Sequence, residues 1–194
     1  RFPWATLLVV HCYTQKQARY VLECIRRRLA QYRLELHPEK TKVVYCKDAN
    51  RQDDHDENSF VFLGYEFRPR LCKSGRGQFF VGFTPAVSPK ARKSMSHAIR
   101  QWRLTSCTSL TLTDVAERLN PVVRGWMSYY GAYCRTELRP TLRQVELALA
   151  RWVMRKHKKQ HRRWIASLDW LTAVRRRNPR LFAHWAWSPR MAQQ

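Results

Sequence analysis

Between Leu119 and Gly131 the chain reads Leu-Asn-Pro-Val-Val-Arg-Gly-Trp-Met-Ser-Tyr-Tyr-Gly, which sets a guanidinium and three large rings into thirteen positions. Trp126, Tyr129, Tyr130 and the following Tyr133 fall at helical spacings, so most of their area can lie on one side of an element. Two chemistries are open to such a face. Aromatic side chains dominate core burial. A ring or two left at the surface with Arg124 can instead stack on unpaired RNA bases.

A second candidate surface lies further on. Arg151 and Trp152 precede Arg155, Lys156, His157, Lys158, Lys159, Gln160, His161, Arg162 and Arg163, and Arg175, Arg176, Arg177 and Arg180 form another cluster. Runs of this kind are often solvated faces. Here the run adjoins Trp152 and Trp164, which points to a surface that tracks phosphates. His157 and His161 have the i, i+4 spacing of two metal ligands but sit among cations, and a solvated basic face is the better reading. The acidic residues Asp48, Asp53, Asp54, Asp56 and Glu57 lack the glycine-defined spacing of a cation loop. No metal site and no catalytic residue is expected.

The composition agrees with a polyanionic partner. Thirty-seven Lys and Arg face 14 Asp and Glu, a formal charge of +23 with pI near 10.7, and eight tryptophans are interleaved with the cations. Such a balance is first a statement about nucleic acid. No apolar run spans a bilayer and no signal-peptide pattern opens the chain, so no membrane partner and a cytoplasmic location are expected. Six scattered cysteines without a C-x-x-C pair read as reduced structural thiols.

The elements that position these groups follow from pattern. Ala5 to Tyr13 reads as a strand, and Thr14 with Gln17 as the capping box of a helix whose stripe is Ala18, Val21, Leu22, Ile25 and Leu29. A turn and a short strand, Thr41 to Cys46, lead to a polar loop, Lys47 to Ser59. Phe60 to Arg70 and Gln78 to Thr84 are expected to pair as a hairpin with a basic, flexible tip at Cys72 to Gly77. Ser88-Pro89 caps a helix with Ala91, Met95, Ala98, Ile99 and Trp102 inward. A helix from Thr113 is expected to stop at Asn120, which would cap a second helix opened by Pro121. Gly125 inside that helix predicts a close backbone neighbour, since glycine there costs about 1 kcal/mol. Leu181 to Trp185 must fold back, because free rings would leave a large apolar patch. The class is α+β: a mixed part, residues 1–87, then an all-helical part, 88–194.

These residues resemble the C-terminal half of a bacterial group II intron reverse transcriptase/maturase. Leu34 to Thr41 resembles the motif after the polymerase active site, and Phe62, Leu63, Gly64 and Tyr65 resemble the hairpin that grips the primer. Ser88 to Trp102 is similar to the thumb helix. Leu119 to Gly131, Arg151-Trp152 and Leu181 to Trp185 resemble the maturase-specific domain. The resemblance implies a partial palm followed by thumb and maturase helices. It also implies a partner, group II intron RNA or other structured RNA, held by Arg124, Trp126, Tyr129, Tyr130, Arg151, Arg155, Lys156, Lys158, Lys159, Arg162 and Arg163.

Intact relatives carry Tyr-Ala-Asp-Asp where register puts Trp4-Ala5-Thr6-Leu7, and no aspartate precedes Asp48. The Mg2+ ions of the family need such carboxylates, so no cofactor is expected in this chain. Lys40, in the place of a family lysine, reads as a plain surface cation. The sequence is thus read as a truncated, polymerase-dead RNA-binding remnant that assists splicing or retrotransposition. A piece of a split polymerase completed by an upstream reverse-transcriptase fragment, and a non-functional leftover, are the alternatives.

Overall fold

Thr14 starts the first helix as its type and spacing predict. In the computed structural model, which describes residues 8–51, 53, 55–157 and 163–187, its hydroxyl accepts the Gln17 N–H at 3.1 Å and α1 spans Gln15–Gln31. The Gln17 carboxamide accepts from the Tyr13 N–H, one residue ahead of the cap, a shifted form of the expected box. The described elements then run β1 (Phe60–Phe62), β2 (Tyr65–Lys73), β3 (Phe79–Val87), α2 (Pro89–Gln101), a 3-10 turn (Leu104–Ser106), α3 (Leu112–Tyr130), α4 (Arg135–Lys156), α5 (Trp164–Arg177) and a last 3-10 turn (Ala183–Trp187). The strands form one sheet in the order β1-β2-β3. The chain is α+β, as expected, and divides into two compact units, Arg1–Ser59 with Leu71–Gly82, and Phe60–Arg70 with Phe83–Gln194.

The first unit holds less regular structure than its sequence suggests. Leu8 to Tyr13 and Thr41 to Cys46 form no strand, and Ala5 to Leu7 lie outside the described residues. A β-type run becomes a strand only where a neighbour completes its hydrogen-bond ladder; among the described residues the one backbone hydrogen bond by which 41 to 46 reaches across runs from the Tyr45 N–H to Glu57 O at 2.8 Å. The expected polar loop is present and irregular. Asp48 shapes it by accepting the N–H groups of Asn50 and Arg51 at 2.9 and 3.0 Å. Leu22 and Ala30 of α1 line a groove with Leu34, Leu36 and Pro38, yet α1 buries none of its residues.

The second unit holds the core. Trp152, Phe182, Leu119, Leu138, Leu142, Leu149 and Leu171 are fully buried, with Met95 and Ile99 of α2 packed against the same cluster. Ser88 caps α2 through Ala91 N–H at 3.2 Å. Thr111 and Asp114 form a capping box at the start of α3.

Two expectations fail in α3. The helix does not break at Asn120; it runs through Pro121 to Tyr130. An interior proline costs about 3 kcal/mol, and burial of Val115, Leu119, Val123 and Met127 on one stripe offsets it at roughly 1.5–3 kcal/mol each. Gly125 has no close backbone neighbour, and a methyl there would meet open space. The crowded glycines are Gly131, where a Cβ would strike Trp187, and Gly64.

The hairpin is also more elaborate than predicted. The first of its two expected strands is itself folded in half, with Phe62 pairing Tyr65 and Phe60 pairing Phe67.

Candidate nucleic-acid interface

The fold in that strand is a two-residue turn. Leu63 and Gly64 both have positive φ, 48° and 80°, as a type I′ hairpin turn requires. Leucine rarely adopts that region, so the surroundings must hold it there. The Tyr129 hydroxyl donates to Leu63 O at 2.8 Å, the Ser88 N–H donates to Gly64 O at 2.9 Å, and the Tyr65 hydroxyl donates to Tyr129 O. Gly64 is required for space as well as for its φ, because a Cβ would sit 2.8 Å from the Tyr130 Oη.

This clasp unites two stretches read separately from the sequence, Phe62 to Tyr65 and the tyrosines of α3. Tyr65 lies 5.1, 5.5 and 5.5 Å from Tyr129, Tyr130 and Tyr133, and Tyr129 meets Tyr130 edge-on at 4.8 Å. Burial first, and then the neighbouring phenols, push Tyr65 and Tyr130 above the ordinary tyrosine range, so both stay neutral hydroxyls. Tyr129 keeps 46% of its surface exposed and Tyr133 keeps 68%. Tyr133 is thus the most open ring of the cluster. Its spacing from Tyr129 was the available signal, but α3 ends at Tyr130 and helical periodicity could not settle its side.

The remaining candidates sort differently. Trp126 stacks on Trp102 at 5.8 Å and 17° and is half-buried against the core, so one ring face is already used. Arg124, Arg155 and Arg163 are exposed. The Arg151 guanidinium lies 5.9 Å from the Trp164 centroid. Lys156 is engaged: its ammonium donates to Thr108 O at 3.0 Å and to Leu110 O and lies 5.3 Å from the buried Trp152 ring, whose own N–H donates to Cys107 O. His157 packs on Trp170 at 5.1 Å. Lys158, Lys159, His161 and Arg162 lie outside the described residues, as do Trp4 to Leu7. Among the described residues no carboxylate lies within ion-pair distance of Arg124, Arg151, Arg155 or Arg163; among the described residues of α2 to α5 the one ion pair between side chains of fixed charge joins Arg92 to Glu137 at 3.6 Å. No three His, Cys, Asp or Glu side chains converge there either, and no helix is long and apolar enough to cross a membrane.

Residues 92–170, from one turn inside α2 to the middle of α5, match the family model described as group II intron, maturase-specific domain. Over those residues the chain is similar to the C-terminal maturase region of a group II intron protein. No curated protein and no solved structure matches it.

The segment after α5 folds back as the rings of Leu181 to Trp185 predict, and polar groups fix it. The Asn120 amide donates to Leu181 O at 2.9 Å and accepts from Ala183 N–H at 2.8 Å, which explains why this residue caps nothing. Glu146 Oε2 lies 2.9 Å from both His184 Nε2 and Trp185 Nε1, and Arg175 donates to Trp185 O. Burial pushes the Glu146 carboxyl up, but the His184 hydrogen bond and charge, the Trp185 N–H and Arg175 outweigh it and hold it below the ordinary carboxylate range. No sequence pattern pointed to Glu146, since one carboxylate on a basic helix looks like a solvated residue.

Proposed function

We infer that this maturase region binds structured intron RNA and assists its splicing, without copying RNA by itself. The observation that carries the reading is a set of exposed arginines with no counter-charge among the described residues, Arg124, Arg151, Arg155 and Arg163, all within the matched residues. Arginines left unneutralised on rigid helices meet phosphates and release counterions. Tyr129 and Tyr133 offer part-open rings on which an unpaired base can stack. The positions Trp4 to Leu7 carry no carboxylate with which to hold the metal ions that nucleotidyl transfer requires.

The test is filter binding of a folded group II intron RNA over a salt series. Affinity should fall steeply between about 50 and 200 mM salt, and joint Arg124→Gln, Arg155→Gln and Arg163→Gln should lower the slope of log K against log salt by about 2 to 3. Affinity indifferent to salt sinks the reading.

A second reading, one piece of a split polymerase, is favoured by α1, whose apolar stripe stays only half-covered. It predicts primer extension when an upstream reverse-transcriptase fragment is supplied, and none from this chain alone.

A further inference from the structure

The outer arm of the β2–β3 hairpin, Leu71 to Gly82, carries chemistry that neither the core nor the tyrosine clasp uses. Its sequence, Leu-Cys-Lys-Ser-Gly-Arg-Gly-Gln-Phe-Phe-Val-Gly, contains two cations and no carboxylate. Side chains alternate along a strand, and the Lys73 ammonium lies 5.5 Å from the Phe79 centroid, so Leu71, Lys73, Phe79 and Val81 share one face. Leu71 is 72% exposed and Phe79 67%. An apolar strip this open marks an interaction surface.

The tip closes through three hydrogen bonds. Ser74 O accepts the Gly77 N–H at 2.9 Å, Ser74 N–H donates to Gln78 O at 2.8 Å, and the Ser74 hydroxyl accepts the Gln78 N–H at 3.1 Å. Gly77 supplies the positive φ, 85°, that closes the turn. Arg76 is thereby held exposed at the end of the arm.

We propose that this arm is a second nucleic-acid site, which takes one or two unpaired nucleotides with a base stacked on Phe79 and flanking phosphates on Lys73 and Arg76. Charge complementarity selects the occupant. Lys73 and Arg76 have no carboxylate partner among the described residues, and an apolar protein surface would leave both cations unanswered, whereas a single strand answers rings and cations together. The Lys73 contact with the ring is weak at an exposed site, so its ammonium can swing to a phosphate while a base takes its place. Every base has a π-face, so the site is tolerant of sequence.

The arm shares no residue with the helical arginines, and its failure is separable from theirs. Fluorescence anisotropy with the intact chain and labelled 12-nucleotide oligouridylate, oligothymidylate and abasic strands tests it. Phe79→Ala should weaken oligouridylate about tenfold, Phe79→Leu nearly as much, and the abasic strand should bind the parent chain no more tightly than oligouridylate binds the variant. Lys73→Gln with Arg76→Gln should lower the salt slope by about 1.4. The ratio of oligouridylate to oligothymidylate affinity reports which sugar the arm accepts. Circular dichroism checks that each variant folds, and Phe79→Leu keeps the strand's apolar bulk if Phe79→Ala does not fold. Unchanged oligouridylate affinity in Phe79→Leu overturns the proposal even if folded intron RNA still binds the helices. So does sedimentation of the parent chain as a dimer that Phe79→Ala returns to monomer, which would assign the strip to a second copy.

Discussion

Helices α1 and α3 have similarly segregated apolar and polar faces, yet α3 buries six of its residues and α1 buries none. α1 is the more polar and basic of the two, but each has a stripe of aliphatic residues at three- and four-residue spacing. What differs is the second layer. The stripe of α3 is met by α4 and by the closing 3-10 turn, and a face becomes core only where another element covers it.

The largest effect should come from Trp152, fully buried and hydrogen-bonded to Cys107 O. Trp152→Ala should cost about 3–5 kcal/mol in a denaturant titration followed by helix ellipticity. A loss below about 1 kcal/mol would break the argument that the helical unit has one core. Next is Glu146→Ala, which strands the His184 and Trp185 donors and should cost about 2–3 kcal/mol. Its pH dependence has a definite sign. The folded carboxyl is held below its unfolded value, so its contribution is present above about pH 4 and is lost as pH falls through the lower folded value. The melting temperature of the parent chain should therefore drop more steeply in acid than that of Glu146→Gln.

The glycines sharpen the comparison between the interior of α3 and its C-terminal cap. Gly131→Ala forces Trp187 aside and should cost about 1–3 kcal/mol, whereas Gly125→Ala, into open space, should gain about 0.5–1 kcal/mol. Thermal melts of the two should move in opposite directions. The smallest effect belongs to α1. Leu22→Ala, on the half-covered stripe, should cost no more than about 1 kcal/mol, and a larger loss would mean that α1 is held far better than its exposure implies.

Features that depend on a few adjacent residues were legible in the sequence. Thr14 and Ser88 cap the helices they announce, and the rings after Leu181 had nowhere to go but inward. Features decided by distant partners were not. Asn120-Pro121 reads as a break by every local rule, and only the contacts of Asn120 with Leu181 and Ala183 and the burial on either side explain why the helix continues. Leu63 carries no turn signal, since leucine is a poor choice for positive φ, and the ring that stabilises it lies 66 residues away. At the candidate interface the arginines were legible as a class. Lys156 could not be told from its basic neighbours until its carbonyl partners were seen.

The clasp at the Leu63–Gly64 turn governs where the polypeptide can be cut. A fragment begun at Ser88 would keep every helix of the maturase region but strip the lid from Tyr129 and Tyr130 and uncover a sticky aromatic shelf. One begun at Phe60 brings its own lid. The smallest piece that behaves well on its own therefore starts a full hairpin earlier than the family match does, and expression trials that trim to the match should precipitate.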